Sequence, residues 1–427
     1  MTTAEEQRVT AETYVDAGAV DEAARRLEGV VVKTPLQLNE RLSRLTGAYV
    51  WLKREDLQPV RSYKLRGAYN LISQLSRDER RAGVICASAG NHGQGVAFSC
   101  ALLGIQGRVY IPSTTPRQKR ERMLALGDGR IELVVAGDTY DEAAAAARVE
   151  AARSGATIVP AFDDPRTIAG QGTLAREICE QFGSSPDVLV VPVGGGGMLA
   201  GCLTWLSANS PRAQVVGVEP LGSPTMTAAL AAGGPQDLAT LDGFADGVAV
   251  RRAGDLTYAI TARHTPAMYT VPEGRICSEM LQLYQTEGII AEPAGALATA
   301  SFGLFTPDPG QVVVAVVSGG NNDVSRYAEV VERALVYEGR KHYFLVNFPQ
   351  EPGALRRFLD EVLGPDDDIT LFEYVKRSNR ETGPALVGIE LGDPATFPAL
   401  LDRMNASPMR VEVIDPQSPS YRFLVSG

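Results

Sequence analysis

Histidine and closely paired cysteine are scarce in this chain. Among 427 residues there are only three histidines, His92, His264 and His342, and five cysteines, Cys86, Cys100, Cys179, Cys202 and Cys277. No two of them stand at the spacing of a zinc site or a CxxC redox pair, which argues against a metal centre and reads as buried, reduced thiols. Long apolar runs are missing as well, so no segment suits a membrane span. The net charge is −10, whereas affinity for a phosphate backbone needs clustered Lys and Arg, so nucleic acid is not an expected partner. Met1 to Val20 carries scattered acidic side chains instead of a basic, apolar, small-residue leader. A cytoplasmic protein with small-molecule ligands is the expectation.

Apolar residues at 44% and charged residues at 22% are ordinary globular usage. The chain is longer than one hydrophobic core usually serves, so more than one folding unit is expected. From about residue 20 to 330, short apolar runs bounded by Gly or Pro alternate with helical patterns. The runs are Gly83 to Ala87, Arg108 to Ile111, Ile131 to Val135, Val188 to Val193, Val215 to Val218 and Val312 to Val317. That rhythm predicts an α/β unit with mostly parallel sheets covered on both faces. Beyond a helix expected over Val324 to Glu338 the pattern changes. Strands are expected at Lys341 to Phe348, Ile369 to Lys376, Leu386 to Leu391 and Met409 to Ile414, with helices at Pro352 to Leu363 and Phe397 to Met404. This is a ferredoxin-like βαββαβ order. The division expected is a catalytic domain over 1–330, with a small subdomain inserted at about 80–165, a linker over 331–339 and a C-terminal domain over 340–427.

In such sheets, ligands gather beyond the carboxyl ends of the strands, so turns that follow strands are the first site candidates. Gly194, Gly195, Gly196, Gly197 and Met198 follow one strand and precede a helical stretch, Leu199 to Ala208. Consecutive glycine N–H groups and the positive end of a helix suit a phosphate. The Lys-Ser/Thr ending of a P-loop is missing. Gly195, Gly197 and Ala200, with Glu219 ending the next strand, fit a dinucleotide fingerprint too, and a purely structural turn remains a third reading. Ser88, Ala89, Gly90, Asn91, His92 and Gly93 form a second turn, suited to a carboxylate and a ring hydroxyl, or simply an N-cap. A third, Ser318 to Asn322, offers a hydroxyl to a heteroaromatic nitrogen, or is an ordinary turn. Lys64 lies among Lys53, Arg54, Arg61 and Arg66, and on its own reads as one exposed lysine in a basic stretch.

The stretch Trp51 to Asn70, which contains Arg61-Ser62-Tyr63-Lys64-Leu65-Arg66-Gly67-Ala68, resembles the pyridoxal-lysine motif of the fold-type II enzymes, and that of the threonine dehydratases most closely. Ser88 to His92, the tetraglycine turn, Ala291-Glu292-Pro293-Ala294-Gly295-Ala296 and Ser318 to Asn321 resemble that family's further motifs, in the same order. Together they cover roughly residues 30 to 330. The resemblance implies a tryptophan synthase β-like fold of two open, mostly parallel sheets, and pyridoxal 5'-phosphate as cofactor. It assigns Lys64 as Schiff-base lysine and later acid/base at Cα, Gly194 to Met198 as phosphate cup, Asn91 as partner of the ring oxygen and Ser318 as partner of the ring nitrogen. A serine there leaves the nitrogen neutral and favours elimination. Ser88, Asn91 and His92 are candidates for the substrate carboxylate, and Glu292 for a ring or substrate contact. Ala89 stands where serine racemases of this fold carry a second acid/base, so elimination without racemisation is expected. Their cation site looks incomplete, with Glu219 present but Thr225 where an aspartate is expected.

The C-terminal segment from His342 resembles the opening of an ACT-like regulatory domain, with Glu351, Pro352, Gly353, Ala354 and Leu355 as the effector turn. The short biosynthetic threonine dehydratases carry one such domain. The resemblance therefore implies dehydration and deamination of L-threonine for isoleucine synthesis, inhibition by isoleucine, valine as a candidate activator, and a homo-oligomer, with a homotetramer favoured. A dimerisation module without ligand is the plainer reading of that domain. A serine dehydratase, a threonine synthase-like lyase and an amino-acid sensor with a decayed catalytic domain are the competing functions.

Overall fold

The computed structural model describes residues 15–374, 382–416, 418 and 421. Two compact units divide the chain, Met1–Glu273 with Leu283–Asp323, and Gly274–Gln282 with Val324–Gly427. The division therefore falls ahead of the linker expected at 331–339, and a short segment of an earlier helix, Glu273–Glu287, counts with the C-terminal unit.

The first unit holds two sheets. The larger runs in the order Leu36–Leu38, Tyr49–Arg54, Val312–Val317, Val188–Pro192, Gln214–Pro220, Ala267–Val271. Only the Leu36–Leu38 edge is antiparallel. The smaller, Ile131–Val135, Gly107–Ile111, Val84–Ala87, Thr157–Ile158, is parallel throughout. Val188–Pro192 is buried along its whole length and packs with Leu174, Leu199 and Leu203 of flanking helices. Helices on both faces explain why its strands read as unbroken apolar runs. Four strands fall outside the runs named above: Leu36–Leu38 and Thr157–Ile158 are short, Tyr49–Arg54 ends in two charged residues, and Ala267–Val271 lies at the sheet edge.

Register fixes where the turns meet. Val317 lies beside Arg54, and Pro192 beside Val218. These strands are parallel, so the segments leading to Lys64, the tetraglycine turn and Ser318 all leave from one edge of the larger sheet.

In the C-terminal unit the strands are antiparallel, ordered Asp368–Tyr374, Thr382–Glu390, Lys341–Pro349, Arg410–Val413. The helices Ala354–Glu361 and Phe397–Ala406 complete the expected βαββαβ order. Phe344, Val346 and Phe348 alternate inward and pack with Phe358, Val387, Leu400 and Met404. The helix expected from Pro352 begins at Ala354, because Gly353 takes a left-handed φ of 88°. The helix expected over Val324 to Glu338 is a 3-10 turn, Val324–Arg326, followed by Tyr327–Tyr337. Lys376, the expected end of the second strand, lies outside the described residues.

Candidate active site

Lys64 opens the helix Lys64–Ser73 and is half-buried. The preceding turn is zipped to the Ser318 turn by backbone pairs: Tyr63 N donates to Ser318 O at 3.1 Å, Gly320 N donates to Arg61 O at 2.9 Å, and Ser62 bridges Gly319. Arg61 takes a left-handed φ of 55°, which costs a non-glycine residue about 1 kcal/mol and persists where the surroundings impose it. Behind Lys64 lies a buried ionic clamp. Arg66 donates to both oxygens of Glu55 at 2.8 Å and to Glu177 at 2.9 Å, while Lys53 donates to Glu177 at 2.5 Å and to Thr34 O at 2.7 Å. Two cations and two carboxylates balance there. Burial alone would raise Glu55, but the Arg66 guanidinium outweighs it and holds the carboxyl below the usual range.

Gly196, with φ 92°, is the N-cap of the helix Gly197–Asn209, and no side chain caps that helix. Its first N–H groups are therefore available to an anion. Glycine is required here by close approach: a Cβ on Gly195 would lie 2.3 Å from the Phe162 ring, and one on Gly194 would lie 2.5 Å from Val248 O. The Thr257 hydroxyl donates to Gly195 O at 2.6 Å and fixes the turn from below.

The helix Asn91–Leu103 likewise starts without a side-chain cap. The Asn91 amide donates to Glu292 Oε1 at 2.5 Å and its oxygen accepts from Asn321 at 2.6 Å, so three of the turns converge on one carboxamide. One Asn91 N–H is left to donate elsewhere. Glu292 is fully buried, and burial pushes its carboxyl up to about 7. Ser318 is buried and its hydroxyl donates to Ala294 O at 3.1 Å. That single proton serves either Ala294 O or a ring nitrogen. Ser88 accepts from Gly90 N at 3.3 Å.

His92 is expected to help hold a carboxylate at the helix start, and its surroundings decide which of its groups can do so. Its Nε2 contacts Val159 O at 2.8 Å, and because a carbonyl only accepts, Nε2 must carry the proton. Burial depresses the ring to about 4, so it is neutral and Nδ1 is a buried lone pair without a partner among the described residues. A carboxylate would be repelled there. Only the His92 backbone N–H, in the first helical turn, can serve that role.

These residues fit pyridoxal phosphate: an uncapped glycine turn for the phosphate, a free Asn91 N–H, and Ser318 for the ring. Near Lys64 in sequence, the Ser62 hydroxyl is buried with no partner among the described residues, as is the Gln94 side-chain oxygen. Buried polar groups are rarely left so, and both suit a bound polar ligand. Alongside opens a cleft of about 480 Å³ lined by Arg61, Gln94, Lys119, Arg122 and Asn321. Sequence reasoning missed Ser62, Phe162, Thr257 and Asn321 as site-shaping residues. Ser62 and Asn321 had a signal, one standing two residues before Lys64 and the other two residues after Gly319, both in segments already singled out; Phe162 and Thr257 had none.

Residues 27–319 match the family described as pyridoxal-phosphate dependent enzyme, and residues 332–424 match the C-terminal regulatory domain of threonine dehydratase. The chain is 60% identical over 408 residues to the biosynthetic L-threonine dehydratase of Mycobacterium tuberculosis, covering 95% of each. To that of Bacillus subtilis it is 47% identical over 404 residues, covering 94% of this chain and 96% of the relative. The processed form of threonine deaminase isoform 2 from Solanum lycopersicum superposes with a TM-score of 0.68 at 38% identity, over 75% of this chain and 95% of that one. Maize serine racemase superposes at 0.69 and 26% identity, over 76% and 98%. With both segments matched and relatives covered nearly end to end, the chain belongs to the pyridoxal-phosphate-dependent enzymes, among the biosynthetic threonine dehydratases that carry a C-terminal regulatory domain.

Proposed function

We propose that this chain converts L-threonine to 2-oxobutanoate and ammonia, as the first step of isoleucine synthesis. When bound, pyridoxal phosphate supplies an electron-withdrawing ring that acidifies the Cα–H of an attached amino acid. The observation that carries the reading is that the turn before Lys64 is hydrogen-bonded to the Ser318 turn, the Asn91 carboxamide is tied to that same turn through Asn321, and the glycine turn leaves the same end of the sheet. Lys64 would hold the cofactor, and its Nζ would be the base that takes the Cα proton. Gly194, Gly195, Gly196, Gly197 and Met198 would hold the phosphate. Asn91 would donate its free N–H to the ring oxygen, and Ser318 would serve the ring nitrogen. Ser88, Asn91 and the His92 backbone, at a helix start, receive the substrate carboxylate. Glu292 stands beside Asn91 at the ring. Borohydride reduction of the yellow holoenzyme, followed by peptide mapping, should place the adduct on Lys64, and L-threonine should yield 2-oxobutanoate. A colourless protein, or an adduct elsewhere, refutes the assignment.

In the C-terminal unit, Gly353 breaks the chain into the helix Ala354–Glu361, and Glu351 pairs with Arg357 across that turn. A glycine turn at a helix start can admit the charged ends of an amino acid. Glu351, Pro352, Gly353, Ala354 and Leu355 are thus the proposed isoleucine turn, with valine as the opposing effector. Removing residues 340–427 should leave threonine turnover and abolish inhibition by isoleucine; inhibition that persists would end this reading. A cytoplasmic homotetramer is the proposed working form, to be checked by sedimentation.

A further inference from the structure

Glu292 occupies an unusual position for a buried acid. It is the N-cap residue of the helix Pro293–Ala300, yet its carboxyl does not cap that helix. Oε1 instead accepts from the Asn91 amide at 2.5 Å. Glycine faces it on two sides: a Cβ on Gly319 would lie 2.1 Å from Oε1, and one on Gly247 would lie 3.5 Å away. The carboxyl is therefore held in one place, pressed between two turns of the site. Because Oε1 accepts, a proton on the neutral acid must sit on Oε2.

The residue preceding Gly247 is Asp246, and it pairs with Lys119. Lys119 belongs to the helix Arg117–Gly127, which follows a strand of the smaller sheet, whereas Asp246 belongs to the loop between two helices of the larger-sheet layer. The pair thus spans the two layers. Val248, two residues on, closes against Gly194 of the glycine turn. One short stretch, Asp246 to Val248, touches the phosphate cup, Glu292 with Asn91, and the smaller layer.

We propose that Glu292 is a proton-holding positioning residue: it fixes the Asn91 carboxamide toward the cofactor ring, and the Lys119–Asp246 pair, made across the two layers, tunes when it gains and loses its proton. This rests on the reading that Asn91 faces the ring. Burial is the main cause that raises the Glu292 carboxyl, Asp246 adds to the rise, and Asn91, Lys119 and Lys64 oppose it. The charged groups facing Glu292 thus come from the Lys64 helix, the Lys119 helix and the Asp246 loop. Ionisation places a negative charge beside the ring and strengthens the grip on the Asn91 N–H.

The absorbance and fluorescence of the cofactor bound in the resting holoenzyme should therefore change in one step near pH 7. Glu292→Gln should remove that step. Asp246→Asn should move it to lower pH and Lys119→Met to higher pH, each by roughly 0.5 to 1 pH unit, with the double variant close to the parent. A merely structural pair would not give opposite shifts. Lys119 and Asp246 lie at partly exposed positions, so both charge variants should fold even if Glu292→Gln does not. A step that persists in Glu292→Gln, or charge variants that shift it together or not at all, overturns the proposal while a borohydride adduct on Lys64 leaves the proposed function standing. A protein that binds no cofactor overturns both.

Discussion

Replacing Arg66 with methionine should cost about 3 to 5 kcal/mol of stability, and the loss should shrink as pH falls. Arg66 donates four hydrogen bonds, two to Glu55, one to Glu177 and one to the Thr173 hydroxyl. Its side chain is 1% exposed and that of Glu55 is 0%. With Lys53 opposite, the clamp is neutral, so Arg66→Met leaves one uncompensated negative charge in the interior. Removing one partner of a buried pair costs about 3 to 5 kcal/mol, and at an effective dielectric constant near 20 a contact pair of charges is worth about 4 kcal/mol. The two routes agree. Thr34 and Gln58 still reach Glu55, and Lys53 still reaches Glu177, which keeps the loss from being larger.

The sign of the pH effect follows from Glu55. In the parent its folded pKa lies below the unfolded value, so its contribution is present above about pH 4.3 and lost only as pH falls through the lower folded value. In Arg66→Met, burial without its main counter-charge raises the folded value above the unfolded one. The penalty is then greatest at alkaline pH and is relieved as the carboxyl takes up a proton. Urea unfolding followed by tryptophan emission suits the test, since Trp51, packed edge-on against Phe182, and Trp205 both belong to this unit. The difference from the parent should narrow between pH 8 and pH 5. A loss under about 1 kcal/mol, or a difference that widens with acid, refutes the reasoning. Arg66→Lys should recover only part of the loss, because a point charge cannot replace the fork that bridges Glu55 and Glu177.

Gly195→Ala should weaken pyridoxal phosphate binding at least tenfold in a titration of the apoenzyme, because the new methyl would sit 2.3 Å from the Phe162 ring under the phosphate turn; unchanged affinity would count against the cup. Glu219→Gln should destabilise the fold by about 1 to 3 kcal/mol, since an amide NH₂ would face the N–H groups of Met226 and Thr227 and the Thr227 hydroxyl. Burial raises Glu219 to about 7, so the parent should lose stability as pH climbs from about 4.3 to 7, and the variant should lack that slope. Since both Glu219 oxygens are taken by the start of the helix Thr225–Ala232, and Thr225 donates to Val250 O, a chelator should leave threonine turnover unchanged; loss of activity would show a divalent ion at work. Ala89 has no group to move a proton, so turnover of L-threonine or L-serine should form no D-epimer by chiral chromatography.

What the sequence disclosed and what it hid have one physical division. A glycine turn after a strand is a local event: Gly196 must reach φ 92°, and glycine-rich turns are therefore written in consecutive letters. Parallel strands covered on both faces are written in the same local way, which is why Val188–Pro192 and Val312–Val317 were legible to within a residue. Charge neutralisation is not local. Lys53 and Arg66 read as members of an exposed basic stretch, yet both are buried, and the carboxylate they share, Glu177, stands 124 and 111 residues away with no period linking it to either. Asn91 shows the same limit, for its partners Glu292 and Asn321 lie 201 and 230 residues on. The consequence reaches the chemistry. The turn places His92 at a helix start, but which ring nitrogen carries the proton is set by Val159 O on a different segment. Residue type and local turn therefore point to the candidate site, whereas the protonation states of His92 and Glu292 within it depend on partners from distant parts of the chain.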